Sequence, residues 1–200
     1  ALTDHNTCGN CAAFCQAAEA YGLLALPGME LCTREEVHIV CVFPDLERAG
    51  AFQEEVYRSL GEARNDPAIF GRQLYLDADD RVLGEEPRLL AGATAIGVYE
   101  VPALVERYGG AAWPAHIDRS SFSLLSNLGL WDPGLGFSLA EVSRNCPPDF
   151  VSGRRDLRGV PTITGCDAHY LEQISDAGQV MEVPARSREA VLAWLRRGGA

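Results

Sequence analysis

Residues 23–43 read LLALPGMELCTREEVHIVCVF, in which two apolar runs are each joined to a potential metal ligand. The first run, 23–27, predicts a buried strand, and Glu30 follows it closely. The second run, 37–43, predicts another strand and includes His38. Because parallel α/β architectures gather their strand ends on one face, we expect these two side chains to contribute to one site there.

The rest of the chain alternates between short apolar runs and helix-like segments. Helices are predicted over 8–21, 45–60, 86–96, 101–108 and 187–197, a hairpin over 73–83, and further strands near 111–115, 138–143, 160–164 and 179–183. Strands that alternate with helices indicate a mostly parallel sheet, here a closed barrel. No repeat, low-complexity tract or long linker interrupts the pattern, so residues 1–200 are predicted to form a single domain.

All four histidines lie beside acidic or polar motifs near predicted strand ends. They are His5 in Thr3-Asp-His-Asn6, His38 after Glu36, His116 in Ala115-His-Ile-Asp118, and His169 after Asp167. Imidazole and carboxylate ligands together suit Zn, Mn or Fe, whereas a purely oxygen set suits Mg or Ca. The pattern therefore predicts one metal-binding centre assembled from distant segments.

In their order and context, these motifs resemble the polymerase-and-histidinol-phosphatase (PHP) family of metal-dependent phosphoesterases. The matching segments, in the order of the family's second, third, fourth and last motifs, are Ala1-Leu-Thr-Asp-His-Asn6, Pro27-Gly-Met-Glu30 with Glu36-Val-His38, Pro114-Ala-His-Ile-Asp-Arg119, and Cys166-Asp-Ala-His169. The resemblance covers nearly the whole chain and implies a distorted (β/α)7 barrel of the TIM-like type. The family's first strand carries His-x-His, and no such segment precedes Ala1, so the barrel is expected to be N-terminally truncated.

The resemblance also implies a role for each matching residue, in a centre of up to three divalent metal ions. Glu30 is implied to bridge two metals, with His38 and His116 completing one site and Asp167 joining Glu30 at its neighbour. His5 and His169 belong to a third site. The implied metal ligands are thus His5, Glu30, His38, His116, Asp167 and His169, and all but His38 are also implied to be catalytic.

Two further side chains near these motifs have expected roles of their own. Arg119 is a candidate for binding a substrate phosphate through its planar guanidinium, the alternative being a salt bridge to Asp118 or Glu141. Asp4 is expected to orient His5, because metal-bound histidines usually need a hydrogen-bond partner.

The implied activity is that of a metal-dependent phosphoric ester hydrolase, which uses metal-activated water. We expect a small phosphorylated metabolite or nucleotide as substrate. The formal charge of −11 disfavours an extended nucleic-acid surface, because Lys and Arg hold phosphate backbones. No apolar run reaches the ~18 residues of a membrane span, and no basic-then-apolar leader opens the chain, so we expect a cytoplasmic protein without a membrane partner. The oligomeric state is left open.

Two alternatives remain open at the level of sequence. One is a non-catalytic, metal-binding remnant of the same fold. The other is a cysteine-based redox or iron–sulfur protein, because Cys8, Cys11 and Cys15 form a Cys-x2-Cys-x3-Cys pattern near a predicted helix N-terminus. The pattern lacks an evident fourth ligand, and an odd total of seven cysteines does not indicate a disulfide framework.

Overall fold

A computed structural model describes residues 1–174 and 180–199. Its helices are α1 (Cys11–Ala20), α2 (Leu46–Ser59), α3 (Pro67–Phe70), α4 (Val101–Arg107), α5 (Leu124–Leu128) and α6 (Arg188–Arg196). Its strands are β1 (Gly28–Cys32), β2 (His38–Val42), β3 (Leu74–Leu76), β4 (Val82–Glu85), β5 (Ala111–Pro114), β6 (Ala140–Val142) and β7 (Thr162–Thr164). None of the helices in these ranges is long and apolar enough to cross a membrane.

The central sheet has three antiparallel strands in the order β1–β2–β5. The segment before α1 adds parallel bridges to β1, at Leu2–Pro27 and His5–Glu30. On the other side, the amide of Ile117 donates to the carbonyl of Glu141 at 2.8 Å, which joins the end of β5 to β6. Strand β6 then pairs in parallel with β7.

This series of segments curls until its two ends approach each other. His5 lies at the first edge and His169 follows β7 at the last, yet their ring centroids are only 6.2 Å apart. The prediction of a mostly parallel sheet is wrong for the central strands, because β1, β2 and β5 run antiparallel. The turn at 33–37 is too short for a crossover helix, so β1 and β2 form a hairpin. Among the described residues, backbone pairing does not close a barrel.

Strand β2 is buried on both of its faces because side chains alternate along a strand. Ile39 and Cys41 lie in the larger apolar core, which Phe52 of α2 also enters. Val40 and Val42 face a second core, which helix α6 covers. Asp45 caps α2 by accepting a hydrogen bond from the amide of Arg48, and the Phe43 and Phe52 rings lie 4.8 Å apart.

Three predicted elements differ from the structure. The strand predicted at 23–27 lies instead at Gly28–Cys32, so Glu30 is inside a strand and not beyond its end. A Cβ atom at Gly28 would lie 2.6 Å from the carbonyl oxygen of Cys41, so glycine is what lets these strands approach. Residues 86–96 contain no helix, because Glu86 and Leu90 hydrogen-bond to tertiary partners. Of the strand predicted near 179–183, residue 179 lies outside the described residues and 180–183 form no strand.

Candidate metal centre

The carboxylate of Glu30 lies at the centre of a cluster of imidazoles. Its Oε2 is 3.1 Å from Nδ1 of His5. Its Oε1 is 3.5 Å from Nδ1 of His38 and also 3.5 Å from Nε2 of His116. Glu30, His38 and His116 are all buried, at 7%, 9% and 2% exposure. A buried carboxylate surrounded by imidazole nitrogens is the donor set of a site for a divalent transition metal.

Backbone pairing positions these side chains. His5 and Glu30 occupy a parallel bridge in which Glu30 donates to the carbonyl of Asp4 and Asn6 donates to that of Glu30, both at 3.0 Å. In the hairpin, Glu30 pairs with Val40, and paired side chains lie on the same face of the sheet. His38 is two residues from Val40 in β2, so its side chain projects from the face that carries Glu30. His116 follows β5, and the amide of Ala115 donates to His38 at 3.0 Å. Neighbouring segments thus bring four candidate ligands together from distant parts of the chain.

The remaining predicted residues approach the cluster from two segments, because Arg119 follows β5 whereas Asp167 and His169 follow β7. Nη1 of Arg119 lies 2.5 Å from Oδ2 of Asp167, and Nδ1 of His169 lies 3.7 Å from the other carboxylate oxygen, Oδ1. The ring of His169 is over half exposed, whereas Asp167 is largely buried. A cleft of about 230 Å³ is lined by His5, Glu30, His38, His116, Arg119, Asp167 and His169, together with Ser121 and Phe122. Every predicted site residue therefore lies at one cleft.

Backbone strain is concentrated around this cleft. Non-glycine residues with positive φ include His116 at 33°, Asp167 at 43° and Phe122 at 52°, and Asn6, next to His5, has a φ of 50°. The two others in the described part of the chain, Glu36 and Asp80, lie in turns. Left-handed φ values are costly for such side chains and tend to occur at functional sites, where the surrounding structure enforces them.

Electrostatics within the cluster favours a cation beside Glu30. Burial alone raises the pKa of Glu30, but contacts with the imidazoles of His116, His38 and His5 outweigh it and hold the pKa well below its ordinary value. Contact with Glu30 raises the pKa of His5, although burial acts in the opposite direction. The ionised carboxylate thus stabilises positive charge on its neighbours, and a metal ion meets the same field.

The donor atoms fit a metal ion. His5, Glu30 and His38 each present a ligand atom within 4.8 Å of the others, the only such group among residues 1–174 and 180–199. Nδ1 of His5, which faces Glu30, is buried and has no hydrogen-bond partner of good geometry among these residues. A buried polar atom without a partner costs about 1–3 kcal/mol, and coordination would satisfy it. His5, which the resemblance assigns with His169 to a separate site, lies against Glu30 and His38.

Arg119, Asp118 and Asp4 have partners that differ from those expected. Arg119 pairs with Asp167, not with Asp118 or Glu141. Asp118 instead accepts hydrogen bonds from the amide and hydroxyl of Ser143 at 2.7 and 2.5 Å, which ties the segment after β5 to β6. Asp4 accepts a hydrogen bond from the side chain of Asn10 at 3.1 Å, and within the described ranges no hydrogen bond joins it to His5.

Sequence reasoning missed two residues that support the cluster. The ring of Phe122 stacks on His38 with centroids 4.8 Å apart and an interplanar angle of 22°. Glu141 is buried in β6, where Nε1 of Trp113 donates to it at 3.1 Å, and burial raises its pKa. An acidic residue inside the apolar run 139–142 is a signal that could have revealed Glu141. No comparable signal distinguishes Phe122.

The cysteine motif supports the fold and not a metal cluster. Cys8, Cys11 and Cys15 are buried, and Sγ of Cys11 lies 3.3 Å from the carbonyl oxygen of Gly28. Within the described ranges, no cysteine belongs to a group of three or more potential ligands at coordination distance. The iron–sulfur alternative therefore has no geometric basis in this part of the chain.

Comparison with known proteins identifies relatives by fold only. No protein-family model matches the chain, and no curated protein sequence matches it significantly. Similar solved structures include the novel lesion-specific endonuclease PfuEndoQ from Pyrococcus furiosus, with a TM-score of 0.59 and 15% identity. Endonuclease Q in complex with a 27-mer duplex substrate, with an abasic lesion at the active site, gives a TM-score of 0.57 and 15% identity. Each match covers 84% of this chain but only 38% of the solved one.

The comparison corrects one expectation. A small phosphorylated partner without an extended nucleic-acid surface is contradicted, because the similar structures are endonucleases and one holds a duplex substrate. Net charge averages over the whole surface and does not exclude a local binding site for a polyanion. All 17 basic residues are arginine; Arg119 lines the cleft, and Arg144 donates to the carbonyl of Cys166, the residue before Asp167, at 3.2 Å. The chain is thus a mixed α/β protein with a PHP-like fold.

Proposed function

We propose that this protein is a metal-dependent phosphodiesterase that hydrolyses nucleic acid. The observation that carries the proposal is the contact of one buried carboxylate, Glu30, with three imidazoles, those of His5, His38 and His116. A carboxylate in this position can bridge two metal ions, an arrangement widely used for phosphoester cleavage. The fold shared with endonucleases supports the reaction class and the polymeric substrate.

The proposed metal ligands are His5, Glu30, His38 and His116, with Asp167 and His169 on the outer side of the cleft. Their mixture of nitrogen and oxygen donors suits Zn, Mn or Fe. The metal, when bound, supplies Lewis acidity and activates water for attack on phosphorus. The histidine neighbours keep Glu30 ionised, and His5 must lose the proton that Glu30 stabilises before it can ligate.

Arg119 is proposed to bind the substrate phosphate. Its guanidinium is 45% exposed at the cleft and lies against Asp167. When Asp167 serves as a ligand, the planar guanidinium remains available for two parallel hydrogen bonds to phosphate oxygens. Arg144 lies nearby on the loop after β6, where it holds the carbonyl of Cys166. Arg119 thus supplies a cationic group at the cleft within a protein of net charge −11.

Cleavage of labelled oligonucleotides tests the proposal. Duplexes with and without one abasic site, and the corresponding single strands, are incubated with protein that has been loaded with Zn, Mn, Fe or Mg. We expect metal-dependent strand cleavage, which is lost in Glu30→Gln. Glu62→Gln is the matched control, because Glu62 is exposed and far from the cluster in sequence. Metal bound tightly without cleavage of any of these substrates would contradict the proposal and favour a non-catalytic metal-binding protein.

A further inference from the structure

A second pocket of about 310 Å³ adjoins the metal centre and shares His5 with it. We call it the side pocket and define it by Asp4, His5, Phe70, Leu74, Tyr75 and Leu90. Its outer wall comes from α3 and the β3–β4 hairpin, which lie outside the central sheet. The segment between α2 and α4 thus forms one wall of the side pocket beside His5.

Internal hydrogen bonds fix this wall in place. The side-chain amide of Asn6 donates to the carbonyls of Leu90 and Gly92 at 2.7 and 2.8 Å, across more than eighty residues of sequence. Gln73 accepts from the amide of Leu90 at 2.9 Å, and the Tyr75 hydroxyl donates to Glu86 at 2.9 Å. Asn6 is fully buried and has a left-handed φ of 50°. The side pocket is therefore formed before any ligand enters, which lowers the entropic cost of binding.

The polar groups of the side pocket leave one acceptor unused. Asn10 donates to Asp4 and Leu74 and accepts from the amide of Leu76, so its amide is fully occupied. Gln73 donates to the carbonyls of Glu86 and Arg88. Only Oδ2 of Asp4 receives a hydrogen bond from the described residues, which leaves Oδ1 free. Apart from the imidazole of His5, no basic side chain lines the pocket, so the free oxygen of Asp4 suits a hydrogen-bond donor.

We propose that the side pocket binds a nucleobase displaced from the stack, through an amino or imino N–H donated to Asp4. The inference rests on the proposed function, because a phosphodiester at the metal centre carries its sugar and base within reach of the adjoining pocket. Pockets of roughly 300 Å³ are large enough for small ligands. Phe70 and Tyr75 supply apolar and aromatic surface of the kind on which extruded bases stack. Phe70 is 55% exposed, so it is free to cover a bound ring.

Titration with 2-aminopurine riboside tests the side pocket without any cleavage step. Its fluorescence falls when the ring stacks on an aromatic side chain, and its amino group can donate to Asp4. We expect saturable quenching and about tenfold weaker affinity in Phe70→Ala, because the ring on which the base stacks is lost. Ile69→Ala is the matched control, because Ile69 lies in the same helix, is 71% exposed and does not line the pocket. Ala91→Phe should abolish binding by filling the pocket, as Ala91 is an exposed lining residue.

Purine riboside, which has no N–H donor on its ring, isolates the role of Asp4. Asp4→Asn should lower the affinity for 2-aminopurine riboside several-fold and leave the affinity for purine riboside nearly unchanged. Absence of quenching up to millimolar ligand, or equal affinity in wild type, Phe70→Ala and Ala91→Phe, would overturn the inference. Nucleoside binding that follows the expected pattern in a protein that cleaves no nucleic acid would refute only the proposed function. Cleavage of nucleic acid by a protein whose nucleoside binding does not depend on the side pocket would refute only the inference that this pocket binds a nucleobase.

Discussion

His5 and Glu30 face each other across a parallel backbone bridge, with Nδ1 of the histidine 3.1 Å from Oε2 of the carboxylate. Main-chain hydrogen bonds on either side of the bridge set this distance, so the pair is positioned by secondary structure and not by a long flexible side chain. The two segments that meet here are also held by Cys11, whose Sγ contacts Gly28 at the start of β1. Preorganised ligands of this kind bind metal with less loss of conformational freedom.

The metal-free protein should be most stable in mildly acidic solution. Contact with Glu30 raises the pKa of His5 above 6.5, so its contribution is complete below pH 6.5 and is lost as pH rises through the folded-state value. Histidine contacts hold the pKa of Glu30 below 4.5, so its contribution is present above pH 4.5 and is lost as pH falls. Thermal midpoints measured in chelator should therefore peak between these limits. In His5→Gln, the fall of the thermal midpoint above pH 6.5 should be smaller than in wild type. An unchanged dependence of the midpoint on pH would show that the contact between His5 and Glu30 does not cause this fall.

Metal affinity should increase above pH 6.5, where the stability of the metal-free protein is expected to decrease. Imidazole must lose its proton to ligate, so metal binding competes with the proton that Glu30 stabilises on His5. We expect affinity for Zn or Mn to increase with pH through the raised pKa of His5, with proton release measurable by calorimetry in buffers of different ionisation enthalpy. Affinity independent of pH in this range would show that His5 is not a ligand.

The residues that line the cleft were identifiable in the sequence because each lies in a short polar motif beside an apolar run, as His38 does. The relative direction of the strands could not be predicted from the sequence, because the apolar pattern of 23–43 is the same for parallel and antiparallel strands. The position of Glu30 within β1 depends on the close approach of Gly28 to Cys41, a tertiary contact. The stack of Phe122 on His38 likewise depends on a left-handed turn far along the chain.

Arg119→Lys should separate phosphate recognition from metal binding. Lysine keeps the positive charge beside Asp167 but cannot form two parallel hydrogen bonds with a phosphate. We expect metal content to stay at the wild-type level while kcat/KM for oligonucleotide cleavage falls about tenfold, equivalent to about 1.4 kcal/mol. Arg158→Lys is the control, since Arg158 is exposed and does not line the cleft. Loss of metal in Arg119→Lys would instead give Arg119 a role in positioning Asp167.

Phe122→Ala should weaken substrate binding more than it weakens metal binding. The ring lies on His38 and is 42% exposed at the cleft, where it can contact an incoming base. Its backbone carbonyl, which accepts from the amide of His38 at 2.9 Å, is kept in the variant. We expect KM to rise several-fold with little change in metal content, because base stacking contributes about 1–3 kcal/mol. An unchanged KM would restrict Phe122 to packing against His38.

Gly165→Ala should destabilise the protein through a clash with Glu141. A Cβ atom at Gly165 would lie 2.1 Å from Oε1 of the buried Glu141 carboxylate, and Gly165 lies two residues before Asp167. Overpacking of this kind costs about 1–3 kcal/mol, and displacement of the loop should also lower metal content. Gly61→Ala is the control, because nothing lies within 4 Å of its new Cβ.

A double substitution identifies the cause of this destabilisation. Glu141→Ala removes the atoms that clash, although it also removes the acceptor for Trp113 and leaves a cavity. If the clash is the cause, Gly165→Ala should cost much less in the Glu141→Ala background than in wild type, and the two effects on the unfolding free energy should be strongly non-additive. Denaturant unfolding of all four proteins measures this coupling. Additive effects would mean that Gly165 is required for its own backbone conformation and that Glu141 does not restrict the loop that carries Asp167.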